Sequence, residues 1–211
     1  MHDLSPSSAP PPPHCIAFQG TQRLATGSLA DVALAIKRVT DGGEHGPILL
    51  FNADTSALLE VDTRGSEADV VQRYAGAPPD HLTTIDTALT PALESPRTRG
   101  RPKLGVVARE VTLLPRHWDW LTSQPGGASV ALRKLVDEAR RTHAGRDAVR
   151  RSRDATYQFM TAIASGLDSF EEATRALFAG DRQRFQALMA PWPADVREHA
   201  LHLAQHAFDT P

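Results

Sequence analysis

A short basic run near residue 100 is the part of the sequence whose residue types and spacing best suit binding chemistry. The run contains Arg97, Arg99, Gly100, Arg101, Pro102 and Lys103. A glycine between two arginines lets an extended backbone lie close to the floor of a DNA minor groove while the guanidinium stems run along it. A·T tracts favour such contacts because their groove is narrow, strongly negative and free of the guanine amino group. The alternative is a solvated, arginine-rich spacer.

The distribution of charge also indicates an anionic partner for the middle of the chain. Residues 97–153 hold 14 basic and 5 acidic side chains, whereas residues 1–95 hold 5 and 12, and residues 154–211 hold 4 and 8. The net charge of −2 therefore conceals a basic centre between two acidic ends. Such asymmetry points to nucleic acid. It is also compatible with docking on an acidic protein partner or on the chain's own acidic ends.

The run Arg99-Gly100-Arg101-Pro102 resembles the AT-hook, a DNA-binding motif whose core is Arg-Gly-Arg-Pro in a basic context marked by proline. The resemblance implies weak, A·T-preferring DNA binding. Its contacts would come from Arg97, Arg99, Gly100, Arg101, Pro102 and Lys103.

A second resemblance covers residues 109–141. A predicted strand, Leu114-Pro115, a short helix, a glycine-containing turn and a second helix follow one another in the order of the ribbon-helix-helix family of bacterial transcription factors. In that family two chains pair their strands into a ribbon that enters the major groove, and amides at the start of the second helix hold a phosphate. The resemblance implies a homodimer. It also implies that Arg109 faces the groove and that Ser129 lies at the phosphate contact.

The patterns that surround these residues predict an α+β fold with a ββαββα unit at residues 14–75. Ser28, with Asp31 three residues later, is a typical start for its first helix. The predicted elements are strands at about 15–19 and 22–26, a helix from Ser28, strands at about 47–52 and 57–62, and a helix at about 67–74. Residues 1–13 are predicted to be a disordered leader, and the proline-rich residues 76–103 a flexible linker.

Two further units are predicted in the second half of the chain. Residues 104–142 form a strand-helix-helix block, in which residues 104–114 are β-prone and Pro115 opens the first helix. The second helix begins at Ser129 and has an apolar stripe. Residues 146–208 form a C-terminal helical bundle. Its predicted helices are one at about 147–164, one after a capping box of Ser169 and Glu172, one after Asp181, and one at 194–208.

Several classes of protein and site are disfavoured by the sequence. Cys15 is the single cysteine, so neither an internal disulfide nor a cysteine zinc cage can form. No stretch approaches the ~20 apolar residues that a membrane helix needs, and we expect a cytoplasmic protein without a membrane partner. Catalytic and phosphate-loop motifs are absent, so we expect neither an enzyme nor a cofactor.

Histidines and tryptophans in the second half are expected to be structural. His199, His202 and His206 share a helix face with Asp195, but ligands spread over two turns of one straight helix do not converge on one ion. They predict a polar flank, although metal binding stays open. Trp118, Trp120 and Trp192 are expected to lie in the core or to pack between domains.

The stretch from Arg101 to Trp118 has the sequence RPKLGVVAREVTLLPRHW, which is specific enough to identify a protein family. On it, the chain from His14 onward resembles a bacterial family of uncharacterised proteins, and this resemblance implies no activity. The sequence thus favours a DNA-binding regulator or nucleoid-associated protein that acts as a homo-oligomer. The alternative is a cytosolic protein-interaction module without DNA binding.

Overall fold

The computed structural model describes residues 14–43, 46–75 and 109–210. The predicted leader and linker lie outside these ranges. The N-terminal elements are β1 (His14–Gln19), β2 (Gln22–Ser28), α1 (Leu29–Asp41), β3 (Ile48–Asn52), β4 (Leu58–Leu59) and α2 (Glu67–Tyr74). This is the ββαββα order that the sequence predicts. The main difference is β4, which is much shorter than the predicted strand at 57–62.

Local side-chain chemistry explains why these elements begin where they do. The Ser28 hydroxyl accepts a hydrogen bond from the Asp31 amide, so the predicted N-cap of α1 is confirmed. The Asn52 side chain accepts from the amides of Asp54 and Thr55 and closes the turn between β3 and β4.

The sheet is antiparallel with strand order β2-β1-β3-β4. Both of its faces are apolar. Ile16, Phe18 and Phe51 belong to one hydrophobic cluster, and Cys15, Ala17 and Leu50 to another. Because successive side chains of a strand point to opposite faces, the sheet must be covered on both sides. Helix α1 covers one face through Leu29, Val32 and Ile36.

The other face is covered by C-terminal helices of the same chain. The second half contains α3 (Pro115–Thr122), α4 (Gly127–Ala164), α5 (Phe170–Ala179), α6 (Arg182–Leu188), α7 (Ala194–Leu203) and a 3-10 turn (Ala204–His206). Phe159 of α4 lies at the centre of the shared core, with ring centroids 5.2 Å from Phe18 and 5.6 Å from Phe51. Phe185 and Val196 are buried in the same cluster.

The described residues therefore divide differently from the predicted domains. One compact unit combines residues 14–75 with residues 145–210, and the other comprises residues 109–144. The sequence interpretation treats residues 14–75 and 146–208 as separate domains, whereas the structure gives them a common core. The sheet has two apolar faces, and α1 of the N-terminal half covers only one of them. The C-terminal helices cover the other face, which accounts for the common core.

Two predictions for the central segment are corrected. Residues 109–114, the described part of the predicted strand, have no strand structure. A strand needs a neighbour for its backbone groups, and no described strand lies beside this segment. The two helices expected on either side of Gly145 are a single helix, α4. One interior glycine costs about 1 kcal/mol, which is too little to end the helix at that position.

The predicted capping box at the start of α5 is also wrong. Ser169 has a φ of 62° and no side-chain cap bond, because the tight turn after α4 needs a left-handed residue there. The other predicted ends near it are confirmed. Gly180 ends α5 with a φ of 76°, and the Asp181 carboxylate accepts from the Arg184 amide at 2.9 Å to cap α6.

Candidate nucleic-acid interface

The central unit, residues 109–144, is a short helix and the first part of a long helix joined by a tight turn. Pro115 occupies the first turn of α3, where its missing N–H costs nothing. Gly126 and Gly127 have φ values of 86° and 75°, so the turn needs residues without a Cβ. The Gly127 amide donates to the Gln124 carbonyl at 2.9 Å. Helix α4 therefore begins abruptly, with the amides of its first turn directed away from the helix.

The sequence-predicted DNA contacts fall in two groups. The hook-like run, residues 97–103, lies outside the described residues. Arg109 is exposed in a segment without strand structure, and Ser129 is exposed in the first turn of α4. The Ser129 carbonyl accepts a hydrogen bond from Arg133 Nε at 3.1 Å. Ser129 thus lies at a helix N-terminus, which is the position the ribbon-helix-helix resemblance requires for a phosphate contact.

Basic side chains are spaced along the first half of α4. Arg133 and Arg140 are seven residues apart and share a face, and Lys134 and Arg141 repeat this spacing on the next stripe. All four are exposed. Among the described residues, none of these four side chains forms an ion pair, and Arg133 alone has a hydrogen bond. These charges are therefore available to an anion.

The unit also exposes much of its apolar surface. Only Leu121 and Ala131 are buried in it. The large apolar side chains on its surface are Val111, Leu114, Trp118, Trp120, Leu135 and Val136, with exposures of 38–54%. Trp118 and Trp120 are thus not core residues, which leaves domain packing as the expectation for them, whereas Trp192 is buried and donates its indole N–H to the Asp168 carbonyl. Six large exposed apolar side chains within one short segment favour an interaction surface.

Four arginines of α4, at positions 146, 150, 151 and 153, belong to the other unit, and two of them are engaged there. Arg150 pairs with Asp147 at 2.8 Å, and Arg153 Nε donates to the Ala207 carbonyl at 2.8 Å. Arg146 and Arg151 are exposed and have no hydrogen bond or ion pair to a described residue.

The groups considered for other chemistry are Cys15 and the histidines of the last helix. Burial raises the pKa of the Cys15 thiol to about 11, which keeps it protonated near neutral pH. His206 is hydrogen-bonded to Asp209, and His199 is buried. In residues 14–43, 46–75 and 109–210, no three His, Cys, Asp or Glu side chains are arranged to hold a metal ion.

His199 is a core residue and not part of the predicted polar flank, and its burial disfavours protonation of the ring. Its ring packs edge-on against Phe159, with centroids 4.6 Å apart, and its Nε2 has no hydrogen-bond partner in the described structure. Burial, with help from the charges of His202 and Arg23, lowers the pKa of His199 to about 4 from an ordinary value of 6.5. Asp54 and Glu198 oppose this shift.

This low pKa predicts a pH-dependent stability. Between pH 6.5 and 4 the unfolded chain binds a proton at His199 that the folded chain does not, so the free energy of unfolding falls as the pH falls through this window. The expected loss is on the order of 2 kcal/mol. Denaturant unfolding at both pH values should show this loss in wild type and a smaller one in His199→Leu. His14→Leu, at an exposed position, is the control. Equal losses in all three proteins would refute the assignment.

Comparisons with known proteins are consistent with these observations but assign no activity. No helix in the described part of the chain is both long enough and apolar enough to span a membrane. No curated protein and no solved structure matches the sequence. A family model does match residues 14–204, and the chain belongs to that family, which is described as an uncharacterized protein conserved in bacteria (DUF2239).

Proposed function

We propose that the chain is a homodimeric DNA-binding protein whose central segment, residues 97–144, binds A·T-rich DNA. The observation that carries the proposal is the surface of the central unit, which combines a large exposed apolar area with unpaired cations. An enzyme is not part of this proposal, because the sequence contains no catalytic motif.

The apolar surface supports a dimer. Among the described residues of this unit, 109–144, only Leu121 and Ala131 are buried apolar residues, and a short segment that buries so little apolar surface is stabilised by a partner. The stripe of Leu132, Leu135, Val136 and Ala139 follows helical spacing, yet Leu135 and Val136 are about half exposed. A second copy of the unit would supply an equally apolar and self-complementary surface. In a ribbon-helix-helix arrangement it would also supply a strand partner for residues 109–114, which pair with no strand in the part of the chain that the structure describes.

The polar side of the unit supports DNA as the ligand. Arg133, Lys134, Arg140 and Arg141 present unpaired positive charge, and the first turn of α4 presents amides that suit a phosphate. The hook-like residues Arg99 and Arg101 would add minor-groove contacts that distinguish A·T from G·C pairs. The acidic ends of the chain oppose DNA binding, so we expect modest affinity.

Removing the hook tests which residues provide the sequence preference. Arg99→Ala with Arg101→Ala should abolish most of the preference for an A·T-rich duplex over a G·C-rich one at low salt. Arg140→Ala with Arg141→Ala should weaken binding to both duplexes equally, because these residues would contact phosphates. The matched control is Arg175→Ala with Arg184→Ala, which removes the same charge from exposed positions of the other unit. Fluorescence anisotropy provides the measurement. An unchanged A·T preference in the hook variant would refute its role.

A protein-interaction module is the second candidate. It is favoured by Trp118 and Trp120, since exposed tryptophans are common at the centres of protein interfaces. A wild-type chain that is monomeric and does not bind DNA at low salt would make this candidate the better one.

A further inference from the structure

A cleft of about 400 Å³ with several charged residues in its lining lies within the unit formed by residues 14–75 and 145–210. All of its lining residues belong to that unit, and nothing in the proposed DNA binding uses them. Three parts of the fold form its walls, namely the turn between β3 and β4, one face of α4, and the end of α7 with the 3-10 turn. The side chains that matter for its chemistry are Asp54, Arg151, Asp154, Gln158, His202 and His206.

Hydrogen bonds hold the walls of this cleft in place. The Ser152 hydroxyl donates to the Leu203 carbonyl and ties α4 to the end of α7. The Asn52 side chain fixes the turn that carries Asp54, through the Asp54 amide at 3.0 Å. His206 is oriented by its 2.9 Å hydrogen bond to Asp209. The cleft is therefore formed before any ligand enters, as is usual for small-molecule sites.

The charged groups in the cleft do not neutralise one another. Arg151 lines the same cavity as Asp54 and Asp154, yet none of the three forms an ion pair within the part of the chain that the structure describes. The side chains of Gln158 and His202 likewise have no hydrogen bond there. Because the arginine and the two aspartates do not pair with one another, the arginine can bind an anionic group and the aspartates a cationic group of a ligand.

We propose that this cleft binds a small zwitterion of the α-amino-acid class. Arg151 binds the carboxylate, and Asp54 and Asp154 bind the ammonium group. Ala148, Ala155 and Leu203 also line the cleft and give it an apolar wall for the rest of the ligand. A volume of about 400 Å³ lies near the small end of the range for ligand sites, which suits a molecule of this size.

Calorimetric titration of the full chain with single proteinogenic amino acids tests the proposal. At least one neutral amino acid should bind, and its N-acetyl derivative and its carboxamide should each bind at least about tenfold more weakly, because each loses one charged contact. If no amino acid binds, or if a derivative binds as well as its parent, the proposal is wrong.

Variants locate the binding. Arg151→Gln should weaken binding of the amino acid at least about tenfold, and Asp154→Asn should also weaken it. Arg150→Gln is the matched control, because Arg150 is the next residue of α4 and pairs with Asp147. Thermal unfolding should show that all three variants remain folded, as expected for exposed positions. Equal affinity in the Arg151→Gln and Arg150→Gln proteins would place the ligand elsewhere and overturn the assignment.

Discussion

Phe159→Ala should lower the free energy of unfolding by about 3–5 kcal/mol. Phe159 is fully buried and contacts Phe18 and Phe51 of the sheet and His199 of α7. Removing its ring leaves a cavity between the sheet and the C-terminal helices. Because both sides of this core lose contacts, we expect the unit to unfold in one transition at a lower denaturant concentration.

Phe178→Ala is the control for this variant. Phe178 is a phenylalanine of the same unit, but 48% of it is exposed and it makes an edge contact with Tyr157. Its truncation should cost less than about 1 kcal/mol. Chemical unfolding followed by circular dichroism measures both values. Similar small losses for the two variants, or separate transitions for the sheet and the helices, would contradict a shared core.

If the proposed dimer forms through the apolar face of α4, Val136→Lys should make the protein monomeric. Val136 is 54% exposed in the single chain, so lysine is tolerated there, but in a dimer it would place an unpaired charge in an apolar interface. We expect the dissociation constant of the dimer to rise about 100-fold or more, while the unfolding of the monomer changes little. Sedimentation velocity at several concentrations measures the shift.

Glu138→Lys is the control for self-association. Residue 138 is exposed two positions further along α4, nearly on the opposite side of the helix from Val136. The new lysine should therefore leave the dimer intact. Dimers in both variants would mean that a different surface mediates association, and a monomeric wild type would remove the dimer from the account.

The elements of the N-terminal half could be predicted because their signals are local. The cap formed by Ser28 and Asp31, the turn at Asn52 and the apolar run of β3 each specify structure within a few residues. The common core is a long-range property. The sequence shows that the strand from Ile48 to Asn52 is apolar on both faces, but it does not show that α4 and α7 cover one of them.

The candidate sites were predictable only in part. The spacing of Leu132, Leu135 and Val136 indicates an apolar helix face, but spacing alone does not tell whether the same chain covers that face. The exposure of Trp118 and Trp120 could not be predicted for the same reason. The cleft could not be found at all, since Asp54, Arg151 and His202 lie far apart in the sequence and fall together only in the folded chain.

Binding of an A·T-rich duplex at several salt concentrations tests DNA recognition by the central segment most directly. If about three or four phosphates are neutralised, the logarithm of the association constant falls with the logarithm of salt concentration with a slope of roughly −3 to −4. The affinity of the wild-type chain should then drop on the order of 100-fold between about 50 and 200 mM salt. No binding at the lower concentration, or an affinity that does not depend on salt, would contradict the proposal.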